Sequence, residues 1–226
     1  VPTNTLLTAA DLRYILEDTR ATAIVVSAPL LPKVLEAGAR LPHLRHVLVT
    51  GEAVAAAGTA ALPAGTLSFE AALAAASPEL SPADTSRDDA CFWLYSSGTT
   101  GFPKGAVHLQ HDMLYCAETY GRAVIATTER DRHFTVSPLF HAYGLGNGVF
   151  FPFRVGASTV YKPERSTPDL VFGLIQAERP SILFTAPTFY AALLAYPEAD
   201  FPYDLSSLRF AVSAGEALPK PLFDQW

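Results

Sequence analysis

The sequence predicts an α/β fold, with mainly parallel sheets covered by helices. Three observations point there. Short β-branched or apolar runs alternate with stretches of helical spacing, half of the 226 residues are hydrophobic while 17% are charged, and no repeat of fixed period is visible. That much apolar material packs one large or two modest domains.

Thr8 predicts a helix N-cap with Asp11 in the first turn, and Leu12, Ile15 and Leu16 keep helical spacing behind it. Residues 23–26 (AIVV) are a short β-branched run, read as a buried strand. A helix over about 31–39 and a strand over 46–49 follow, then an Ala-rich stretch, 52–76, with a helix near 69–75. Residues 1–76 are thus expected to form one α/β segment. The stretch 77–89 (SPELSPADTSRDD) is polar and proline-punctuated, and reads as a connector. Residues 90–226 make the second block. It opens on the apolar run 90–95, passes through a Gly-rich loop into a helix over 112–123, and uses Asp112 as that helix's cap. Strands at 133–136, 158–161, 181–185 and 209–213 then alternate with helices at 168–178 and 188–195. Pro168 and Pro187 stand where helices begin, at positions whose N–H has no partner to lose.

Composition narrows the partners. A net charge of −6 argues against nucleic acid, whose phosphates require a basic face. No apolar run reaches membrane-spanning length, and the richest, 143–153, is broken by Gly144, Gly146, Gly148 and Pro152. Cys91 and Cys116 lack CxxC spacing and are expected to be two buried thiols in a reducing compartment. A soluble cytoplasmic protein is the expectation. His108, His111 and Asp112 are close in sequence, but no further ligand cluster completes a zinc site. The absence of G-x-S-x-G argues against a serine hydrolase.

The stretch that carries most chemistry is YSSGTTGFPKG, residues 95–105. Gly98 and Gly101 let backbone amides approach an anion, and Ser96, Ser97, Thr99 and Thr100 add hydroxyl donors. Lys104 adds one compact positive charge on a long stem. The loop follows a strand, where an open α/β sheet presents its ligand sites. It is not a Walker A loop, because the lysine precedes its glycine, and it is not G-x-G-x-x-G. On the residues alone, a phosphate-binding loop and a solvated loop both stay open.

YSSGTTGFPKG resembles the signature loop of the adenylate-forming superfamily, which includes acyl- and aryl-CoA ligases, luciferases and peptide-synthetase adenylation domains. Three more segments are similar to family motifs, in the family's order. They are VPTNTLLT (1–8), PLFHAYGLG (138–146, the acyl-pocket motif) and SAGEA (213–217, the turn that meets adenine). The resemblance covers essentially the whole chain. LQHDMLYCAETYG, SPLFHAYGLGNG and SAGEALP resemble the benzoate-CoA ligases of the aryl branch most. The loop departs slightly, reading Gly98-Thr99-Thr100-Gly101 where many of those enzymes are expected to have S-G-S-T-G.

The resemblance implies part of the large N-terminal domain of an acyl-CoA-synthetase-like fold. It implies activation of a small aromatic carboxylic acid by ATP with Mg²⁺, through an acyl-adenylate, and transfer to coenzyme A. Ser96, Ser97, Gly98, Thr99, Thr100, Gly101 and Lys104 would hold the ATP phosphates. His141 would gate the acyl pocket, which Ala142, Tyr143 and Gly144 would line, and Ser213, Ala214, Gly215, Glu216 and Ala217 would pass along the adenine and the acyl carbonyl. Duller roles stay open for His141 at a helix start, Tyr143 in the core and Glu216 as a cap. No metal ligand is expected in this chain, the Mg²⁺ ligand of relatives lying beyond the position of Trp226. The remaining N- and C-terminal portions of the same enzyme are expected partners, and this piece alone is expected to be inactive. An adenylation domain loading a carrier protein, or a nucleotide-binding module without turnover, are the alternatives.

Overall fold

The computed structural model of the chain describes residues 1–57, 62–96, 101–197 and 201–226. Two units emerge. One holds Asn4–Asp84 with Ser96–Lys104, and the other Val1–Thr3, Thr85–Tyr95 and Gly105–Trp226.

In the first unit, Thr8 and Asp11 form a reciprocal capping box that starts α1 (Ala9–Asp18), as the spacing predicts. Strand β1 (Ala23–Ser27), helix α2 (Leu31–Gly38) and strand β2 (His46–Thr50) follow. Then come α3 (Glu52–Ala57), β3 (Thr66–Ser68) and α4 (Phe69–Ala75). The three strands pair in parallel in the order β1-β2-β3, with Ala23 opposite His46 and Val47 opposite Thr66. Leu12, Leu16, Val26, Val34, Val49 and Val54 form the core. The Arg13 guanidinium donates to the Ala37 and Ala39 carbonyls, where α2 leaves acceptors unpaired. The expectation that 23–26 is a buried strand needs correcting. β1 lies at the sheet edge, only Val26 along it is buried, and Val25 is 53% exposed.

The second unit holds most of a paired β4 (Ala90–Ser96) and β5 (Lys104–Leu109), whose Ser96 and Lys104 fall in the first. Its main sheet contains β6 (Arg132–Thr135), β7 (Ser158–Val160), β8 (Ile182–Thr185) and β9 (Phe210–Ser213), all parallel, in the order β7-β6-β8-β9. Successive residues serve opposite faces. Phe134 and Leu183 pack with α8 (Pro168–Glu178) and α9 (Pro187–Leu194) through Val171, Phe172, Ile175, Tyr190 and Leu193. Ile182, Phe184 and Val212 pack on the other face with Ile125 and Tyr143. A parallel sheet needs cover on both faces, and this one has it. Pro168 and Pro187 are the first residues of their helices, and the Thr167 hydroxyl caps α8 by accepting from the Leu170 amide.

The expectations for the run 112–123, for Asp112 and for the cysteines change. The run 112–123 is not a plain α-helix: α5 (Asp112–Cys116) passes into a π-helical segment, Ala117–Arg122. Asp112 is not its cap; its carboxylate accepts from the Leu109 amide at 3.0 Å and closes the turn before the helix. The glycine-rich stretch 143–153 is helical throughout, as α6 (Ala142–Leu145), a π-helical Gly146–Phe150 and α7 (Phe151–Val155). Glycine disfavours helix by about 1 kcal/mol each, and burial of Gly144, Gly146, Asn147, Gly148 and Pro152 against the unit outweighs it. The cysteines also differ from expectation. Both are free, Cys91 is half-buried and Cys116 is exposed, on a helix whose Leu114 and Tyr115 also face outward. Among the described residues no helix is long and apolar enough to cross a membrane.

The amino-terminal ends of three strands are bolted together. Asp131, 5% exposed, accepts from Arg209 Nε (2.8 Å) and Nη2 (2.8 Å), the Ser181 hydroxyl (2.7 Å) and the Thr128 amide (2.8 Å). Burial pulls its pKa up, but the Arg209, Ser181 and Thr128 hydrogen bonds outweigh it and hold the carboxyl well below its ordinary value.

Candidate functional site

Loops at the carboxyl ends of a parallel sheet converge on ligands, above all where successive crossovers leave in opposite directions. In the order β7-β6-β8-β9 the chain leaves β6 for β7 on one side and returns past it to β8 on the other. That switch lies between β6 and β8. The segment PLFHAYG follows β6 directly, and SAGEA begins at the end of β9.

His141 is the N-cap residue of α6, in extended backbone, with no side-chain capping bond. Its ring is exposed and lies against Phe140, centroids 4.5 Å apart. Ala142 is exposed beside it. Gly144 is buried, and a Cβ there would stand 2.2 Å from the Pro138 carbonyl oxygen and 2.5 Å from that of Ser137, so no side chain fits. Tyr143 reaches the sheet. Its hydroxyl donates to the Val212 carbonyl at 3.0 Å, with the Thr185 carbonyl at 3.4 Å. Burial, with smaller contributions from Tyr190 and Tyr120, pushes its pKa far above the ordinary phenol value. The O–H is therefore a committed donor, and the ring is what Tyr143 has left to offer.

Val212 O also accepts from the Tyr190 hydroxyl at 3.1 Å. Two phenols thus hold the backbone immediately before the 213–217 turn. Ser213 is opposite Thr185 in the sheet, and its buried Oγ has no hydrogen-bond partner among the described residues. The Ala214 amide donates to the Thr185 carbonyl at 3.4 Å, and Gly215, Glu216 and Ala217 are exposed. Glu216 does not cap the following helix: α10 (Lys220–Gln225) has Pro219 at its N-cap. The structure therefore brings Tyr143 and Ser213 to one place. Ser213 lines a cavity of about 280 Å³ with Tyr190, Leu218 and Trp226, and Ala142 borders an apolar cavity of about 120 Å³ with Phe92, Met113, Leu145 and Phe151.

Ser96, Gly101 and Lys104 belong to the other unit. Ser96 ends β4 and is exposed, and Gly101 has φ +122°, a conformation that favours glycine. Phe102 stacks on Tyr14, centroids 5.0 Å apart. Lys104 opens β5 with its side chain exposed, and among the described residues no hydrogen bond or ion pair engages its ammonium. Ser97, Gly98, Thr99 and Thr100 lie outside the described residues.

His108 Nδ1 and His111 Nε2 each lie 3.3 Å from the Asp112 carboxylate, whose pKa is lowered chiefly by the Leu109 amide and further by the two histidines. Among the described residues no group of three or more His, Cys, Asp or Glu is placed to hold a metal ion. The sequence reading missed Val212 and Thr185, because backbone acceptors carry no sequence signal, and Tyr190, whose hydroxyl donor sits within an apolar helix. It also missed His133 and Asn147, for which a polar residue inside an apolar run is the available signal.

The sequence profile of AMP-binding enzymes matches residues 1–226. The chain belongs to the AMP-binding enzyme family. Among its relatives in that family, it is 43% identical over 223 residues to the benzoate–CoA ligase of Thauera aromatica, covering 99% of this chain and 40% of that protein. The 4-hydroxybenzoate–CoA/benzoate–CoA ligase of Rhodopseudomonas palustris shows the same identity, 43% over 223 residues, with the same coverage. The crystal structure of the anthranilate CoA ligase AuaEII in complex with anthranoyl-AMP superposes with a TM-score of 0.90 at 38% identity, over 100% of this chain and 42% of that one. The chain spans about two fifths of the length of these AMP-binding enzymes.

Proposed function

We propose that this chain is part of an ATP-dependent aromatic acid–CoA ligase, acting on benzoate or a close derivative. The observation that carries the reading is the hydrogen bond from Tyr143 to Val212, which joins the predicted acyl-pocket helix to the start of the predicted adenine turn at the sheet's carboxyl ends. The ligases of Thauera aromatica and Rhodopseudomonas palustris, named for benzoate, support the choice of acid.

A carboxylate is a poor electrophile. In the first half-reaction its oxygen attacks the α-phosphorus of ATP, an O–P bond forms, and the bond to pyrophosphate breaks, leaving an acyl-adenylate. In the second, the coenzyme A thiol loses its proton and its sulfur attacks the acyl carbon, expelling AMP. The first barrier is largely electrostatic, since two anions meet while charge grows on the departing pyrophosphate. Lys104, exposed and unpaired among the described residues, meets that charge together with the hydroxyls and amides of 96–101. The Tyr143 ring and the small Ala142 give a flat, apolar wall. The 120 Å³ cavity beside Ala142 is of the order of the ~150 Å³ apolar cavity that admits benzene. The 213–217 turn accompanies the adenylate through its backbone. The remaining portions of the enzyme complete the site, so this chain alone does not turn over.

The test is exchange of labelled pyrophosphate into ATP by the full-length protein. Exchange that requires an aromatic acid, followed by thioester formation with coenzyme A, supports the reading. Exchange without any thioester would point to a carrier protein as acceptor, and no acid-dependent exchange would refute it.

A further inference from the structure

A line of buried polar contacts runs from β6 into the helix 142–155, and none of the motif residues explains it. His133 is fully buried in the strand, its ring 4.8 Å from that of Phe184. Nδ1 lies 2.8 Å from the Asn147 carbonyl oxygen, and Nε2 lies 3.2 Å from the Thr127 hydroxyl. A carbonyl only accepts, so Nδ1 carries the proton, and Thr127 donates to Nε2. Asn147, 1% exposed, donates from Nδ2 to the Tyr143 carbonyl at 2.8 Å. Its Oδ1 is buried with no partner among the described residues.

This arrangement is expensive for a purely structural role. A buried amide with an unmet acceptor is worse for stability than an apolar side chain of the same shape. Asn147 also sits at a special place, the second residue of the π-helical segment, where α-helical pairing gives way. The Tyr143 carbonyl receives the Gly146 amide, and the Asn147 side chain supplies a second donor. The same Tyr143 sends its hydroxyl to Val212.

We propose that Asn147, held in place by His133, is a positioning residue for Tyr143, fixing the turn that sets its ring against the aromatic acid and its hydroxyl on the Val212 carbonyl. The inference rests on the aromatic-acid reading of the site, and the two failures are distinguishable. If wild-type enzyme shows no acid-dependent pyrophosphate exchange, the reading itself fails and this assignment falls with it.

The experiment uses full-length enzyme, benzoate and ATP, with pyrophosphate exchange as readout. Asn147→Ala removes the donor to Tyr143 and is expected to raise KM for benzoate about tenfold, with kcat and KM for ATP changing less than about twofold. Asn147→Ser keeps a hydroxyl able to reach the carbonyl four residues back, and should stay within about threefold of wild type. In a Tyr143→Ala background, which lacks both the ring and the hydroxyl that Asn147 is said to position, Asn147→Ala should add less than about threefold. Equal changes in both KM values, full additivity in the double variant, or a tenfold benzoate KM in folded Asn147→Ser would overturn the proposal. If Asn147→Ala does not fold, Asn147→Leu, alone and in the Tyr143→Ala background, gives the same comparison with an apolar side chain of similar size.

Discussion

The Tyr143 hydroxyl and the Val212 carbonyl meet at 3.0 Å, and the Tyr190 hydroxyl shares the same carbonyl at 3.1 Å. One acceptor with two phenol donors behaves in a characteristic way when the donors are removed. Tyr143→Phe or Tyr190→Phe alone leaves Val212 O with a partner, and each is expected to destabilise by about 1 kcal/mol. The double variant removes both phenol donors from a carbonyl of the β8–β9 ladder and should cost more than either single. Urea unfolding of the four proteins measures these losses, and a double variant no less stable than the singles would contradict the expectation.

Gly144 tests the packing of the same turn. With the Pro138 oxygen 2.2 Å from any Cβ, Gly144→Ala forces α6 off the preceding loop. A loss of about 3 kcal/mol or more is expected, at the upper end of overpacking effects. Thermal unfolding checks it, and an unchanged midpoint would show that the loop gives way freely.

Much of the fold was legible because it depends on local chemistry. The Thr8–Asp11 box and Pro168 and Pro187 at N1 are signals a few residues long, and the structure places helix starts at each. The π-helical segments were not legible, because one extra residue per turn disturbs helical spacing too little to show, and Gly144, Gly146 and Gly148 read as breaks. β5 was missed because Lys104 and Gly105 read as the end of the signature loop. In the site, Tyr143 and the 213–217 turn were named from contiguous motifs. Their meeting through Val212 O was not, since it spans 69 residues and ends on a backbone atom.

The Asp131–Arg209 pair predicts acid sensitivity. The folded pKa of Asp131 lies below its unfolded value, so the unfolded chain binds more protons in that window. The stabilisation is complete above about pH 5, where the unfolded carboxyl of pKa ~3.9 is ionised, and is lost as pH falls through the folded pKa. Arg209→Met leaves a buried carboxylate unpaired. Because the guanidinium is 42% exposed, the loss should be roughly 2–3 kcal/mol at pH 7, below the 3–5 of fully buried pairs. Unfolding free energies from pH 7 to pH 3 should show a smaller acid-induced loss in the variant.

His133 acts in a higher pH window. Burial lowers its pKa first of all, against the Asn147 carbonyl and Asp131, which favour the charged form, while Arg209 opposes it. Below about pH 6.5 the unfolded histidine protonates while the folded one stays neutral, so stability falls with falling pH by at most ~1.4 kcal/mol per unit. His133→Gln should flatten the stability profile between about pH 6.5 and 5, wherever its own effect at pH 7 lies. An unaltered slope would mean that His133 titrates alike in both states.

The most direct test of the central claim is aromatic-acid-dependent ATP–pyrophosphate exchange by the full-length protein, wild type against Lys104→Ala. Removing a charge that meets developing negative charge in the transition state should slow exchange by about 10²-fold, with benzoate binding changed less than about threefold. Benzoate-dependent exchange in the wild type, lost in that proportion, is the predicted result. Exchange that is indifferent to benzoate, or that proceeds unchanged without Lys104, would contradict the account.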